Sequence, residues 1–142
     1  MERVENMPKF RIVAVLILLW NLLGDAAYLM QATANLDEVA RHDPVQAQAF
    51  REMPSWVWAA YAIAVASGTI GAIVLLMRRR WAWALFALSL AAVIVQFGWT
   101  FLSFDIMGIK GPSAALFPLL IVAIALASTI YARRKRADGT LQ

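Results

Sequence analysis

One acidic residue, Asp25, interrupts the first long apolar stretch of the chain. A charged aspartate at the centre of a bilayer costs ~2.5 to 3.5 kcal/mol on insertion scales, so such a residue usually faces protein or a water-filled cavity. Asn21, Asp25 and Tyr28 are spaced at i, i+4 and i+7, which puts them on one helix face. This face is suited to binding a cation or a proton. In the alternative, Asp25 is protonated and only hydrogen-bonds Asn21 or Gln96.

A second polar face, which includes Gln96 and Thr100, lies on the third apolar stretch. At ~1.5 Å per helical residue, Asp25 lies ~21 Å beyond Arg11, and Gln96 lies ~24 Å beyond Arg80. We therefore expect the two faces to meet in the outer half of the membrane, between the first and third helices. The predicted pocket comprises Asn21, Asp25, Tyr28, Gln31, Tyr61, Gln96, Trp99 and Thr100.

These side chains also have a purely structural interpretation. Asn, Gln, Thr and Tyr commonly hydrogen-bond neighbouring membrane helices, at an average of ~0.6 kcal/mol in one measured case. Trp20 and Trp99 either stack a ring-shaped ligand or pack between helices. The pattern alone leaves both interpretations open.

The composition is typical of an integral membrane protein. Of 142 residues, 62% are hydrophobic and 15% are charged, and four apolar runs each reach the ~20 residues that a membrane-crossing helix needs. We predict an all-α bundle of four transmembrane helices, antiparallel in up-down-up-down order, forming a single membrane domain over residues 1–142. The predicted helices cover residues 10–32, 55–77, 81–104 and 112–131, with an external loop at 33–54 and cytoplasmic tails at 1–9 and 132–142.

The external loop is predicted to contain one short amphipathic helix. Asp43 and Pro44 suit its N-cap and first helical position, and Val45, Ala49 and Met53 follow at i, i+4 and i+8. This helix is expected to lie over the ends of the long helices or along the membrane interface.

Basic residues are concentrated on one side of the predicted membrane. Ten of the thirteen Lys and Arg residues flank the N-terminus, the second loop and the C-terminus. Since Lys and Arg are enriched in cytoplasmic loops, both termini are predicted to be cytoplasmic. The residues that we assign to topology or to anionic-lipid contact are Arg78, Arg79, Arg80, Arg133, Arg134, Lys135 and Arg136.

Small residues form a ridge along the second predicted helix, where Ala60, Ala64, Gly68 and Ala72 recur every four residues. Such a ridge lets two helix backbones approach closely. The sequence does not distinguish a contact within the chain from a contact between two chains.

Several chemistries require residues that this sequence lacks. There is no cysteine, and the one histidine, His42, falls in the predicted loop. The sequence contains no motif of metalloproteases, serine hydrolases or nucleotide-binding enzymes, and no acid pair suited to hydrolysis. We expect a protein that is not an enzyme and that holds no metal or cofactor. We also expect no nucleic-acid binding, because the basic residues lie at membrane boundaries.

Three segments, WNLLG at 20–24, YLMQ at 28–31 and RRRWA at 78–82, are similar to those of short four-helix bacterial membrane proteins, some of which are automatically labelled sugar transporters. The resemblance spans most of the chain. It implies a multi-pass protein of the bacterial inner membrane, and no binding residue is carried over from it. Small multidrug transporters differ, because they have a glutamate in the cytoplasmic half of the first helix.

Two functional hypotheses follow, and a third, a membrane-embedded enzyme, would need a second catalytic group from a lipid, a cofactor or a partner. In the first, the protein acts by association, as a homo-oligomer or as an accessory subunit of a membrane complex. In the second, it is a small solute or ion/proton-coupled transporter or channel that uses Asp25, with Asn21, Tyr28 and Gln96 orienting the solute. The expected partners are membrane lipids, a second copy or another membrane protein, and in the second hypothesis a small molecule.

Overall fold

The computed structural model describes residues 2–104, 108, 111 and 115–142, with side chains from residue 7 onward. Every regular element in this part of the chain is helical. Helix α5 continues directly into a π-helical segment. The elements are α1 (Glu2–Ala32), α2 (Leu36–His42), α3 (Pro44–Glu52), α4 (Ser55–Leu76), α5 (Ala82–Gly98), the π-helical segment (Trp99–Ser103) and α6 (Leu116–Ala137).

Four stretches are long and apolar enough to cross a membrane. They come from α1, α4, α5 with the π-helical segment, and α6. The predicted all-α class with four long apolar helices is therefore confirmed. The stretches are Met7–Ala32, Ser55–Leu76, Ala82–Ser103 and Leu116–Ala137.

Two long helices extend beyond their predicted apolar segments. Helix α1 begins at Glu2 rather than near residue 10, and α6 ends at Ala137 rather than near residue 131. The apolar pattern predicts where a helix enters the membrane, whereas Glu, Lys and Arg are good helix formers that continue it into water. Beyond α6, Gly139 adopts a φ of 86°, a conformation that glycine takes at little cost. The predicted start of the fourth helix at residue 112 lies outside the described residues.

The segment between α1 and α4 contains two short helices where one was predicted. Asn35 caps α2 by accepting a hydrogen bond from the Asp37 backbone N at 3.0 Å. Asp43 caps α3 by accepting from the Gln46 backbone N at 3.0 Å, and Pro44 opens that helix as predicted. Helix α2 was missed because it buries no residue, so apolar periodicity gives no signal for it.

The long helices pack in chain order, with α1 against α4, α4 against α5, and α5 against α6. Helices α1 and α6 meet at one end, where the rings of Phe10 and Tyr131 stack with centroids 6.3 Å apart. The buried core at that end consists of Phe10, Ala14, Ala72, Val74, Leu75, Ala82, Phe86, Ala132 and Leu141.

The small-residue ridge of α4 is buried inside the chain. At Gly68, the Asn21 side chain of α1 and the Ser89 hydroxyl of α5 leave no room for a Cβ atom. The Ser89 hydroxyl also donates to the Ala64 carbonyl at 2.6 Å, which ties α5 to α4. The close contact that the ridge predicts is therefore made within the chain. The four buried residues are Ala60, Ala64, Gly68 and Ala72.

The turn between α4 and α5 is closed by an arginine with left-handed backbone, Arg78, at a φ of 60°. The Arg78 N donates to the Leu75 carbonyl at 2.9 Å, and the Arg79 N donates to the Val74 carbonyl at 3.1 Å. These bonds form a Schellman motif with arginine where glycine is usual. The end of the chain returns to this arginine turn, since the Gln142 N donates to the Arg78 carbonyl at 2.7 Å.

Candidate functional site

A cavity of about 720 Å³ lies among α1, α5 and α6, with α4 behind it and α3 across one end. We call it the membrane cavity, and we call its two ends the α3 end and the turn end, the latter lying towards the arginine turn. Its volume is within the ~300–1,000 Å³ typical of small-molecule sites. Most of its wall is apolar or aromatic, and none of the described residues that line it is charged.

Six of the eight predicted pocket residues line the membrane cavity, and Asp25 and Tyr28 do not. Tyr28 instead packs edge-on against Tyr61, with ring centroids 4.9 Å apart. The sequence pattern therefore predicts most of the polar residues that line the cavity, but Asp25, which was predicted to line it, does not. The six lining residues are Asn21, Gln31, Tyr61, Gln96, Trp99 and Thr100.

Asp25 is turned towards α4. The Thr69 hydroxyl donates a hydrogen bond to its carboxylate at 2.5 Å, so the half-buried acid lies between α1 and α4 and not between the first and third long helices. Along α4, Thr69 lies nine residues, or ~14 Å, before Arg78, whereas Tyr61, with which Asp25 was predicted to be level, lies ~26 Å before it. Asp25 therefore contacts α4 closer to the arginine turn than predicted. Helical spacing groups residues on a face but does not determine which neighbouring helix that face meets.

Several polar groups in the wall are bonded to the backbone. The Ser89 hydroxyl donates to an α4 carbonyl at 2.6 Å, and the Ser128 hydroxyl donates to the carbonyl one turn earlier at 2.8 Å. The Asn21 side-chain amide donates to the Ile17 carbonyl at 2.8 Å, and the Thr100 hydroxyl donates to the Gln96 carbonyl at 3.2 Å. Because these donors are satisfied, the wall beside them presents mainly carbon atoms.

Three glutamine side chains gather at the α3 end of the membrane cavity, Gln31 from α1, Gln46 from α3 and Gln96 from α5. The Gln31 side chain lies close enough to the Tyr61 hydroxyl to interact with it. The side-chain amides of Gln46 and Gln96 bond no residue in the described part of the chain. Since an amide both donates and accepts, this end offers unused hydrogen-bonding groups in an apolar cavity.

Aromatic contacts hold α3 across the end of the cavity. On one side, Phe50 of α3 packs against Trp58 of α4 with ring centroids 5.7 Å apart. On the other side, Ala49 of α3 is buried against Phe104, whose ring stacks on Trp99 at 5.9 Å. Helix α3 is therefore fixed to two walls of the cavity.

The π-helical segment supplies Trp99 and Thr100 to the wall. The Phe104 N donates to the Trp99 carbonyl at 3.1 Å, five residues earlier, which widens this turn of the helix. Such segments frequently occur at functional sites. A regular helical repeat does not reveal this extra residue in the turn, so the π-helical segment cannot be predicted from the sequence pattern.

The membrane cavity opens sideways between α1 and α6. Leu23 and Phe117 both line it, yet their side chains are 68% and 62% exposed. Leu23 lies thirteen residues after Phe10, and Phe117 lies fourteen before Tyr131, or ~20 and ~21 Å along their helices. Because Phe10 and Tyr131 stack, the two exposed residues lie at matching distances from that contact and flank the opening.

Three further polar lining residues were missed from the sequence, Gln46, Ser89 and Ser128. Whether each of these residues faces the cavity depends on the rotation of its helix or on the fold of the loop, and neither is a local property of the sequence. Only Gln46 had a usable signal, because it follows the predicted Asp43 cap and therefore lies in the first turn of α3.

A second depression, of about 460 Å³, lies against α2. Its lining comes from residues 34–42, all of them exposed or half-buried, so it is a surface feature and not an enclosed site. Over the described residues, no three His, Cys, Asp or Glu side chains are grouped to hold a metal ion.

Comparison of the chain with protein-family models, curated proteins and solved structures gives no match. The resemblance to four-helix bacterial membrane proteins therefore stays a prediction.

Proposed function

We propose that this protein binds a small, uncharged, mostly apolar molecule in the membrane cavity and carries or presents it within the membrane. The observation that supports this proposal is the pair of unused amides, Gln46 and Gln96, in a wall that is otherwise apolar. Ligand sites typically combine such walls with a few polar groups that fix orientation. An uncharged ligand is favoured because burying an unpaired charge is costly.

In this proposal Asp25 does not bind the ligand, and no catalytic step is involved. Asp25 acts as a positioning residue that holds α1 on α4 through the Thr69 hydroxyl. This differs from the ion-coupled transporter that the sequence alone favoured as the alternative, in which Asp25 would contact the transported ion.

The proposed setting is the bacterial inner membrane, with four antiparallel spans and both termini cytoplasmic. Contacts at both ends of α1 support opposite chain directions, since Phe10 meets Tyr131 of α6 and Tyr28 meets Tyr61 of α4. The arginine turn and the last turn of α6 would then face the cytoplasm, and α3 would face outward.

Cysteine labelling tests this topology, because the chain has no native cysteine. Gln48→Cys on α3 should react with a membrane-impermeant maleimide in intact cells. Arg79→Cys on the arginine turn should react only after permeabilisation. The reverse pattern would refute the proposed orientation.

Association with a second copy or another membrane protein stays a separate proposal. The small-residue ridge of α4 does not provide the surface for such an association, because Gly68 and its neighbours are buried inside the chain. Any such contact would use the lipid-facing sides of the long helices, and the mass of the native particle in nanodiscs measures it directly.

The binding proposal is tested by filling the cavity. Ala125 of α6 lines it, whereas Ala127, two residues on, is exposed and does not. Native mass spectrometry of protein released from nanodiscs should show small molecules bound to wild type and to Ala127→Trp, but lost from Ala125→Trp. Equal retention by both variants, or nothing bound to wild type, would refute the proposal.

A further inference from the structure

We infer that the ligand is an uncharged single-chain lipid amphiphile that enters the membrane cavity from the bilayer, through the opening between α1 and α6. This inference rests on the proposed function and names the class of molecule and its route. Three features carry it: the position of the opening, the chemistry of the α3 end, and the length of the apolar wall.

The opening lies within the apolar spans. Leu23 and Phe117 belong to the stretches Met7–Ala32 and Leu116–Ala137, and their exposed sides would contact lipid chains. Leu19 and Leu120, which continue the same two helices, are also exposed. Helix α3, fixed by aromatic contacts on both sides, covers the end of the cavity. A molecule already dissolved in the bilayer therefore has the shortest route in.

The α3 end suits an uncharged polar headgroup. The Gln46 and Gln96 amides offer donors and acceptors there, which match a hydroxyl or ester group. A carboxylate or phosphate would meet no cation among the described lining residues. Two cationic side chains towards the turn end, Arg133 and Arg136, do not line the cavity and lie over the Trp83 ring, at 5.3 and 5.8 Å from its centroid.

The rest of the wall suits a hydrocarbon chain. On α6 the lining residues lie between Phe117 and Ser128, which are eleven positions apart, or ~17 Å along the helix. Val93, Ile121 and Ile124 contribute apolar surface along this length, and the Ser128 hydroxyl is bonded to its own helix. An apolar wall of this length beside a polar end matches the length of one acyl chain.

A photoreactive monoacylglycerol, with a diazirine and an alkyne in its acyl chain, tests the ligand class in phosphatidylcholine nanodiscs. Irradiation should label peptides that contain Val93, Ile121 and Ile124. Ala125→Trp should reduce this label about tenfold, and Ala127→Trp should not change it. The fatty acid with the same chain should label about tenfold less, because its carboxylate has no partner. Equal labelling by the fatty acid would overturn the uncharged headgroup.

A cross-link tests the route. In Leu23→Cys/Phe117→Cys, a short bis-maleimide should close the opening and abolish labelling by monoacylglycerol added afterwards. The reference labelling is set by the same double variant without the reagent and by each single variant treated with it, so that the loss is measured against the substitutions and adducts alone. Labelling that survives the verified cross-link would overturn lateral entry and leave the binding proposal intact.

The two proposals fail separately. If monoacylglycerol does not label the cavity while native mass spectrometry still shows small molecules that Ala125→Trp removes, the amphiphile is wrong and the binding function stands. If both experiments show nothing in the cavity, the binding function itself is wrong.

Discussion

The side-chain amide of Asn21 occupies the space that a Cβ atom at Gly68 would need. The Cγ of Asn21, from α1, and the Oγ of Ser89, from α5, lie 3.1 and 3.2 Å from that position. The glycine therefore lets a polar side chain from α1 and one from α5 meet the same point of the α4 backbone. Three of the four long helices therefore meet at this glycine.

Gly68→Ala should destabilise the protein by about 1–3 kcal/mol, the usual cost of overpacking a close contact. Reversible unfolding in mixed micelles measures the change. Gly98→Ala is the matched control, because a Cβ at this helical position meets nothing within 4 Å. That variant should be neutral or slightly more stable, since alanine favours helix. Equal effects of the two substitutions would show that the contact at Gly68 is unimportant.

Asn21→Ala should relieve the strain of Gly68→Ala. Because the two residues contact each other, the double variant should lose less stability than the sum of the single variants. The same unfolding assay gives the coupling energy. Additive losses would mean that the cost of the added methyl group arises elsewhere, for example against Ser89.

Thr69→Val should cost about 1–3 kcal/mol, because it removes the donor that faces the half-buried Asp25 carboxylate. Thr69→Ser keeps the hydroxyl and is the control for stability. Labelling of the membrane cavity by monoacylglycerol should be the same in Thr69→Ser and Asp25→Asn as in wild type, since neither residue lines it. A labelling defect in Asp25→Asn would restore Asp25 to a role in binding.

Gln96→Leu should weaken binding of the amphiphile by about two- to thirteenfold, the effect of one hydrogen bond of ~0.5–1.5 kcal/mol. The unliganded protein should keep its stability, because the lost amide has no partner among the described residues. Gln48→Leu, an exposed position on α3, is the control for composition. Unchanged affinity in Gln96→Leu would contradict the assigned position of the headgroup.

Acid should loosen the segment that follows α6. Burial acts to raise the pKa of Asp138, but hydrogen bonds from Thr140 and the charge of Lys135 outweigh it and hold that pKa below the usual 3.8. The stabilisation is therefore complete above the unfolded pKa and is lost as the pH falls through the lower, folded value. Hydrogen-exchange protection of the Leu141 amide, which donates to the Lys135 carbonyl at 3.1 Å, measures it.

Asp138→Asn should reduce that protection already at neutral pH, because the amide cannot supply the charge that Lys135 faces. Asp37→Asn, on the far side of the molecule in α2, should leave it unchanged. Protection of Leu141 that is independent of both pH and Asp138 would show that burial of its side chain alone holds the segment.

The sequence could predict the four long helices and six of the lining residues, because apolar length and helical spacing are local properties. The position of Asp25 could not be predicted in the same way. Its face was correct relative to Asn21, but only tertiary packing brings Thr69 of α4 to it. Gln46 reaches the cavity because the fold of residues 33–54 carries α3 across its end, which no periodicity encodes.

The small-residue ridge of α4 also shows what a local sequence pattern can and cannot predict. Its spacing correctly predicted a close helix contact around Gly68, but small residues do not specify their partner. The partners are Asn21 of α1 and Ser89 of α5, which only the tertiary packing brings to the glycine. The position of Trp99 likewise depends on a π-helical turn, which a regular repeat of 3.6 residues cannot anticipate.

Burial of this ridge makes the mutational tolerance of α4 strongly uneven. Ile63, Ile70 and Ile73 have 47%, 49% and 45% of their surface exposed, so bulky apolar replacements there meet only lipid. In a library of random α4 substitutions selected for membrane expression, large side chains should accumulate at these positions and be depleted at Ala64, Gly68 and Ala72. The evolutionary freedom of this helix is thus confined to its lipid side, while its inner side is limited to residues no larger than those already present.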